Sequence, residues 1–110
     1  MIRARTQSAL ERLARLDKAD LDQKQLELAE ARESHRRLCD QLDDLERLAE
    51  TGAETAGGNV PALFALASWA DARRAQINAD IGRARQRVGR IEQELLDLRG
   101  RIKLVEKLLG

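Results

Sequence analysis

Apolar residues recur at alternating strides of four and three along almost the whole second half of the chain. Read back from Leu109 the run is Val105, Ile102, Leu98, Leu95, Ile91, Val88, Ala84, Ile81, Ile77, Arg74, Ala70, Ala67 and Leu63, with Arg74 its single non-apolar member. Such strides keep one stripe of a helix turned toward a partner helix, so the spacing predicts a long coiled-coil helix that needs a mate along its length. The first half offers that mate. Leu10, Ala14, Asp17, Leu21, Lys24, Leu28, Ala31, His35, Leu38, Leu42, Leu45 and Ala49 follow the same strides, and Asp17, Lys24 and His35 are the polar exceptions. A polar seam residue fixes register or marks a place where helices splay.

Between the two seams lie Gly52, Gly57, Gly58, Asn59 and the only proline, Pro61. This is the one break in the pattern. The expected layout is a helix over about 4–50, a tip loop over 51–60 and a helix over about 61–109, with Asn59 as a cap and Pro61 in the first turn. A short link between two long helices favours an antiparallel hairpin. The expected fold class is therefore all-α, a long antiparallel two-helix coiled-coil hairpin forming one domain over 1–110. The composition agrees, because 35% charged and 2% aromatic residues suit long charged helices better than a globular core.

Matching small residues to large ones gives an expected register. Ala14 faces Leu98, Leu28 faces Ala84, Ala31 faces Ile81, Leu42 faces Ala70, Leu45 faces Ala67 and Ala49 faces Leu63. In that register Val105 faces Gln7 and Leu109 faces Arg3, so the end holding both termini has more apolar surface than it can cover. Ile102, Leu104, Val105 and Leu108 crowd this end, Arg101, Lys103 and Lys107 ring it with positive charge, and Leu13 and Leu16 add a stripe off the first seam. A helix apolar on all sides expects cover, so these residues form a candidate partner-docking surface. Phe64, Leu66 and Trp69 fall off the seam near the tip, where they either cap the turn or present a second anchor.

Nothing in the chain has the form of a catalytic site. His35, Cys39 and Asp40 lie close together, but no third and fourth metal ligand are in reach. No phosphate loop or nucleophile elbow occurs, and a two-helix seam encloses no pocket for an acid–base pair. The reading is a non-enzyme without cofactor or metal. A lone Cys39 suits a reducing cytoplasm. The first residues lack a signal peptide's apolar run and no stretch is long enough to span a bilayer, so direct membrane insertion is not expected. The stretch 73–90 holds Arg73, Arg74, Arg83, Arg85, Arg87 and Arg90, while Asp40, Asp43, Asp44, Glu46, Glu50 and Glu54 form an acidic run. The net charge is +1 and no aromatics interleave with the arginines to stack bases, so nucleic-acid binding is not expected. Gly82 and Gly89, one heptad apart, suggest a close approach or a flexible segment.

The chain resembles the FliJ family of flagellar export proteins and, more distantly, their YscO-type counterparts in injectisomes. The resemblance spans the whole sequence. It rests on Leu10-x-x-Leu13-x-x-Leu16 leading into a charged helix, on a glycine-containing tip followed by Leu63-Phe64 through Trp69, and on the ending Arg101-Ile102-Lys103-Leu104-Val105-Glu106-Lys107-Leu108. It implies a small non-enzymatic stalk, cytoplasmic and peripheral to the inner membrane through its partners. Those partners would be the hexameric export ATPase, whose ring receives the end with both termini, the export gate membrane protein, and export chaperones. The rival readings are a structural, self-associating coiled coil and an Arg-rich nucleic-acid-binding hairpin.

Overall fold

The computed structural model describes residues 3–110. They form an all-α hairpin of two helices, α1 (Ala4–Ala56) and α2 (Val60–Leu109). By packing, the chain divides into two units. The terminal unit joins Met1–Ala31 to Arg87–Gly110, and the tip unit is Arg32–Gln86.

The two segments of the terminal unit run antiparallel, since Asp17 meets Arg101 and Lys24 meets Glu94. Its core is Leu28, Ala31, Ile91 and Leu95, with Leu21 and Val88 packed against it. The tip unit is also antiparallel, and its core is Leu45, Ile77 and Ile81, joined by Leu38, Cys39 and Leu42. All of these residues except Cys39 belong to the two seams read from the sequence. The heptad phase of both helices is therefore as expected.

The turn is shorter than expected and lies further along the chain. Helix α1 does not stop near Glu50 but continues through Ala56. Gly57 ends it in the left-handed conformation, at φ 58°, and its N–H bonds the Glu54 carbonyl at 3.3 Å. Asn59 then starts α2 as expected. Its Oδ1 accepts from the Ala62 N–H at 3.1 Å, and its carbonyl accepts from the Leu63 N–H at 3.0 Å. Pro61 sits in the first turn, where an amide hydrogen is not needed. Gly52, which looked like a helix breaker, is a packing glycine inside α1. A β-carbon there would stand 2.9 Å from Leu66 Cδ2.

The later turn is accompanied by a different register. Ala14 does not pair with Leu98; it lines a recess with Leu21, Ile102 and Val105. Leu28 and Ala31 pack with Ile91 and Leu95, and Leu42 and Leu45 join Ile77 and Ile81. Ala49 shares a groove of about 290 Å³ with Ala53, Leu66 and Ala70 as well as Leu63. Facing positions have moved on by one heptad. A seven-residue slip keeps every apolar residue on the seam, so apolar spacing cannot distinguish the two registers. The charges do. In the expected register Asp17 would stand beside Glu94, Lys24 beside Arg87, and Arg74 would lie against Leu38 and Cys39. In the observed register all three charged seam residues find an opposite charge on the other helix.

Two measurements check this arrangement. With Cys39 replaced by Ser, the pair Ala14→Cys and Val105→Cys should oxidise to an intramolecular disulfide, whereas Ala14→Cys with Leu98→Cys should remain reduced; the opposite result restores the expected register. At Gly82, Gly89 and Gly100 an added β-carbon would meet nothing within 4 Å. Each Gly→Ala change at these sites should raise helix stability by about 1 kcal/mol in thermal unfolding. Gly52→Ala should give no such gain, because Leu66 must move.

Candidate docking surface at the helix termini

The terminal unit places the expected docking residues in three kinds of environment. Leu16, Leu104 and Leu108 are exposed at 62%, 57% and 48%. Leu13 and Ile102 are half-buried, and Lys103 and Lys107 project from the surface. Val105 corrects the sequence reading. It is 4% exposed, because the shifted register covers it beside Ala14. Val105 is core and cannot anchor a partner.

Arg101 also has a different task. Its guanidinium grips Asp17 with Nη2 at 2.6 Å from Oδ1 and Nε at 3.1 and 3.3 Å from the two carboxylate oxygens. Asp17 is 1% exposed, so this fork supplies the partner that a desolvated carboxylate requires. The same contact stabilises the charged guanidinium and raises its pKa. Arg101 is thus occupied within the chain and contributes to the surface only through its exposed remainder.

The Asp17–Arg101 bridge marks one flank of the terminal unit. Leu104 and Leu108 follow Arg101 at helical spacing on α2, and Leu13 and Leu16 lie one turn and one residue before Asp17 on α1. The four leucines therefore share this flank. A separate recess of about 390 Å³ opens between Lys18, Asp22 and Glu106, floored by Ala14, Leu21, Ile102 and Val105.

In the tip unit Phe64 is 75% exposed and Trp69 48% exposed. Neither folds over the turn as a cap. Leu66 differs from them, since it is half-buried against the Gly52 backbone. Trp69 and Leu48 instead border a recess of about 260 Å³ with Gln41, Asp44 and Arg73. Sequence reasoning missed Leu48, which is 57% exposed, because a single leucine beside the seam residue Ala49 carries no periodic signal of its own.

The remaining candidates make contacts within the chain. His35 Nε2 is 3.8 Å from Cys39 Sγ on the same helix, and among the described residues no group of His, Cys, Asp and Glu could hold a metal. Part of the arginine run is engaged within the chain. Arg74 bonds Glu46 at 2.6 and 3.2 Å and Asp71 at 2.6 Å, Arg83 pairs with Asp80, and Arg73 bonds Gln76. No helix among the described residues is long and apolar enough to cross a membrane. Compared with known proteins, the chain matches no family model, no curated sequence and no solved structure.

The cross-helix pairs give the fold a pH dependence. The hydrogen bond from Arg74 lowers the Glu46 pKa, and that from Lys24 lowers the Glu94 pKa, both below the ordinary 4.5. Their contribution is fully present above pH 4.5 and is lost as pH falls through the lowered folded values. Thermal unfolding should therefore move to lower temperature below this point, and Glu46→Gln with Glu94→Gln should flatten that acid decline. An unchanged decline in the double variant would place the acid-sensitive carboxylates elsewhere. Arg101→Ala, which strands buried Asp17, should destabilise more than Arg99→Ala.

Proposed function

We propose that this chain is a non-enzymatic coiled-coil stalk of a flagellar or related type III export apparatus, docking by its terminal unit in the export ATPase ring and linking that ring to the export gate. The observation that carries the reading is the exposed Leu16, Leu104 and Leu108 on one flank beside Lys103 and Lys107, at the helix termini where a ring could receive them. Apolar anchors supply affinity in such a contact, and the flanking charges speed encounter with an acidic-rimmed pore. The sequence resemblance to the FliJ family supports the choice of apparatus. Within this reading the protein is cytoplasmic, reaches the membrane only through partners, and serves export chaperones from other surfaces.

Leu104→Asp with Leu108→Asp should remove stimulation of the export ATPase while leaving helical signal and melting temperature nearly unchanged, since neither side chain is in the core. Trp69→Ala should leave stimulation nearly intact. Stimulation that survives the leucine changes and disappears with Trp69→Ala would move the working surface to the tip.

A further inference from the structure

His35 and Cys39 are the only histidine and the only cysteine of the chain, and they stand four residues apart on α1. That spacing puts both side chains on one face of a helix, one turn from each other. His35 Nε2 and Cys39 Sγ converge to 3.8 Å, and both residues are half-buried, so each keeps part of its surface open. Bonded to one tetrahedral zinc ion, at about 2.3 Å for sulfur and about 2.0 Å for nitrogen, two such atoms stand about 3.6 Å apart. The pair therefore already holds nearly the separation of two ligands on a single ion. Neither group is committed elsewhere, since their mutual contact is the one side-chain hydrogen bond that either makes among the described residues.

We infer that His35 and Cys39 are half of a zinc-class metal site that a second copy of this chain completes, with two imidazoles and two thiolates around one ion. Among the described residues no third His, Cys, Asp or Glu joins the pair, so one chain offers two ligands where a closed tetrahedral site needs four. A second copy brings the same two atoms at the same separation, related by a two-fold axis through the ion. The chemistry balances at the centre. Two Zn–N and two Zn–S bonds form, the two thiol protons leave to solvent, and the two thiolates neutralise the doubly charged ion. The nitrogen and sulfur donors select zinc over magnesium or calcium, whose ligands are oxygens. No concentrated charge of one sign surrounds the pair: residues 32–43 carry three basic and three acidic side chains, and Arg36 and Arg37 are bonded to Glu33 and Asp40. This site requires only the chain and the ion and does not rest on the export reading.

Sedimentation of the untagged, reduced chain in zinc and in EDTA tests the site. Zinc should convert monomer to dimer and saturate at one ion per two chains, and EDTA should reverse the conversion, which it would not do for a disulfide. Cobalt(II) in place of zinc should give a thiolate-to-metal absorption band that saturates at the same ratio. Cys39→Ser should abolish both the band and the dimer. His35→Gln should raise the metal concentration needed for dimerisation by about tenfold or more, the scale on which even the groups behind metal ligands act. Both variants should keep the parent's helical signal in EDTA, so that a lost dimer reports lost ligands. Association that is the same in zinc and in EDTA, saturation at one ion per chain, or a metal-dependent dimer unmoved by either substitution would each overturn the inference.

Discussion

Three charged residues on an otherwise apolar seam determine how the two helices meet. A heptad stripe specifies which face of a helix is buried but repeats every seven residues, so it leaves a ladder of registers nearly equal in apolar contact. Asp17, Lys24 and Arg74 break that degeneracy. Each reaches an opposite charge across the hairpin, and no buried side-chain nitrogen or oxygen among the described residues lacks a hydrogen-bond partner. Slipping by one heptad sets Asp17 against Glu94 and Lys24 against Arg87. The penalty for like charges or an unpaired buried carboxylate is larger than the benefit of a correct surface pair, so these residues act mainly by excluding the wrong alignment.

The turn enforces the same choice by different means. Gly57 permits the left-handed cap, Asn59 begins the next helix two residues later, and the missing side chain of Gly52 admits Leu66. Small residues then line both helices near the turn, with Ala49 and Ala53 on α1 and Ala67 and Ala70 on α2. Close approach is needed where the chain reverses within three residues, and alanine and glycine permit it. Leu63 and Leu66 fill the same groove from α2, and the buried large residues Leu45 and Ile77 lie further into the tip unit.

This division explains what the sequence reveals and what it conceals. The two seams, the hairpin and the Asn59–Pro61 helix start were all legible, because each follows from local spacing and capping chemistry. The register was not, because small-against-large matching has several near-equal solutions. Treating Gly52 as a breaker placed the turn too early and supported the wrong one. The error carried into the docking surface: it left Val105 uncovered and Arg101 free, whereas the structure buries the first and couples the second to Asp17. Attention to Asp17, Lys24 and Arg74 as a set would have argued against the expected alignment, since none of the three meets an opposite charge there. Leu16, Leu104 and Leu108 are exposed because their off-seam positions hold in either register.

A two-helix seam leaves each helix with more than half of its circumference in water, so an off-seam leucine finds at most partial cover from its own chain, as Leu13 and Leu66 do. Scattered single leucines are ordinary on protein surfaces. Three exposed on one flank, following an ion pair whose carboxylate is buried, are a different case. The Asp17–Arg101 bridge ties the two helices together at this point, beside the leucines. Basic residues beside such a flank favour acidic partners during approach. The Asp17–Arg101 pair that helps select the register inside the hairpin thus also lies beside the exposed leucines of the terminal unit.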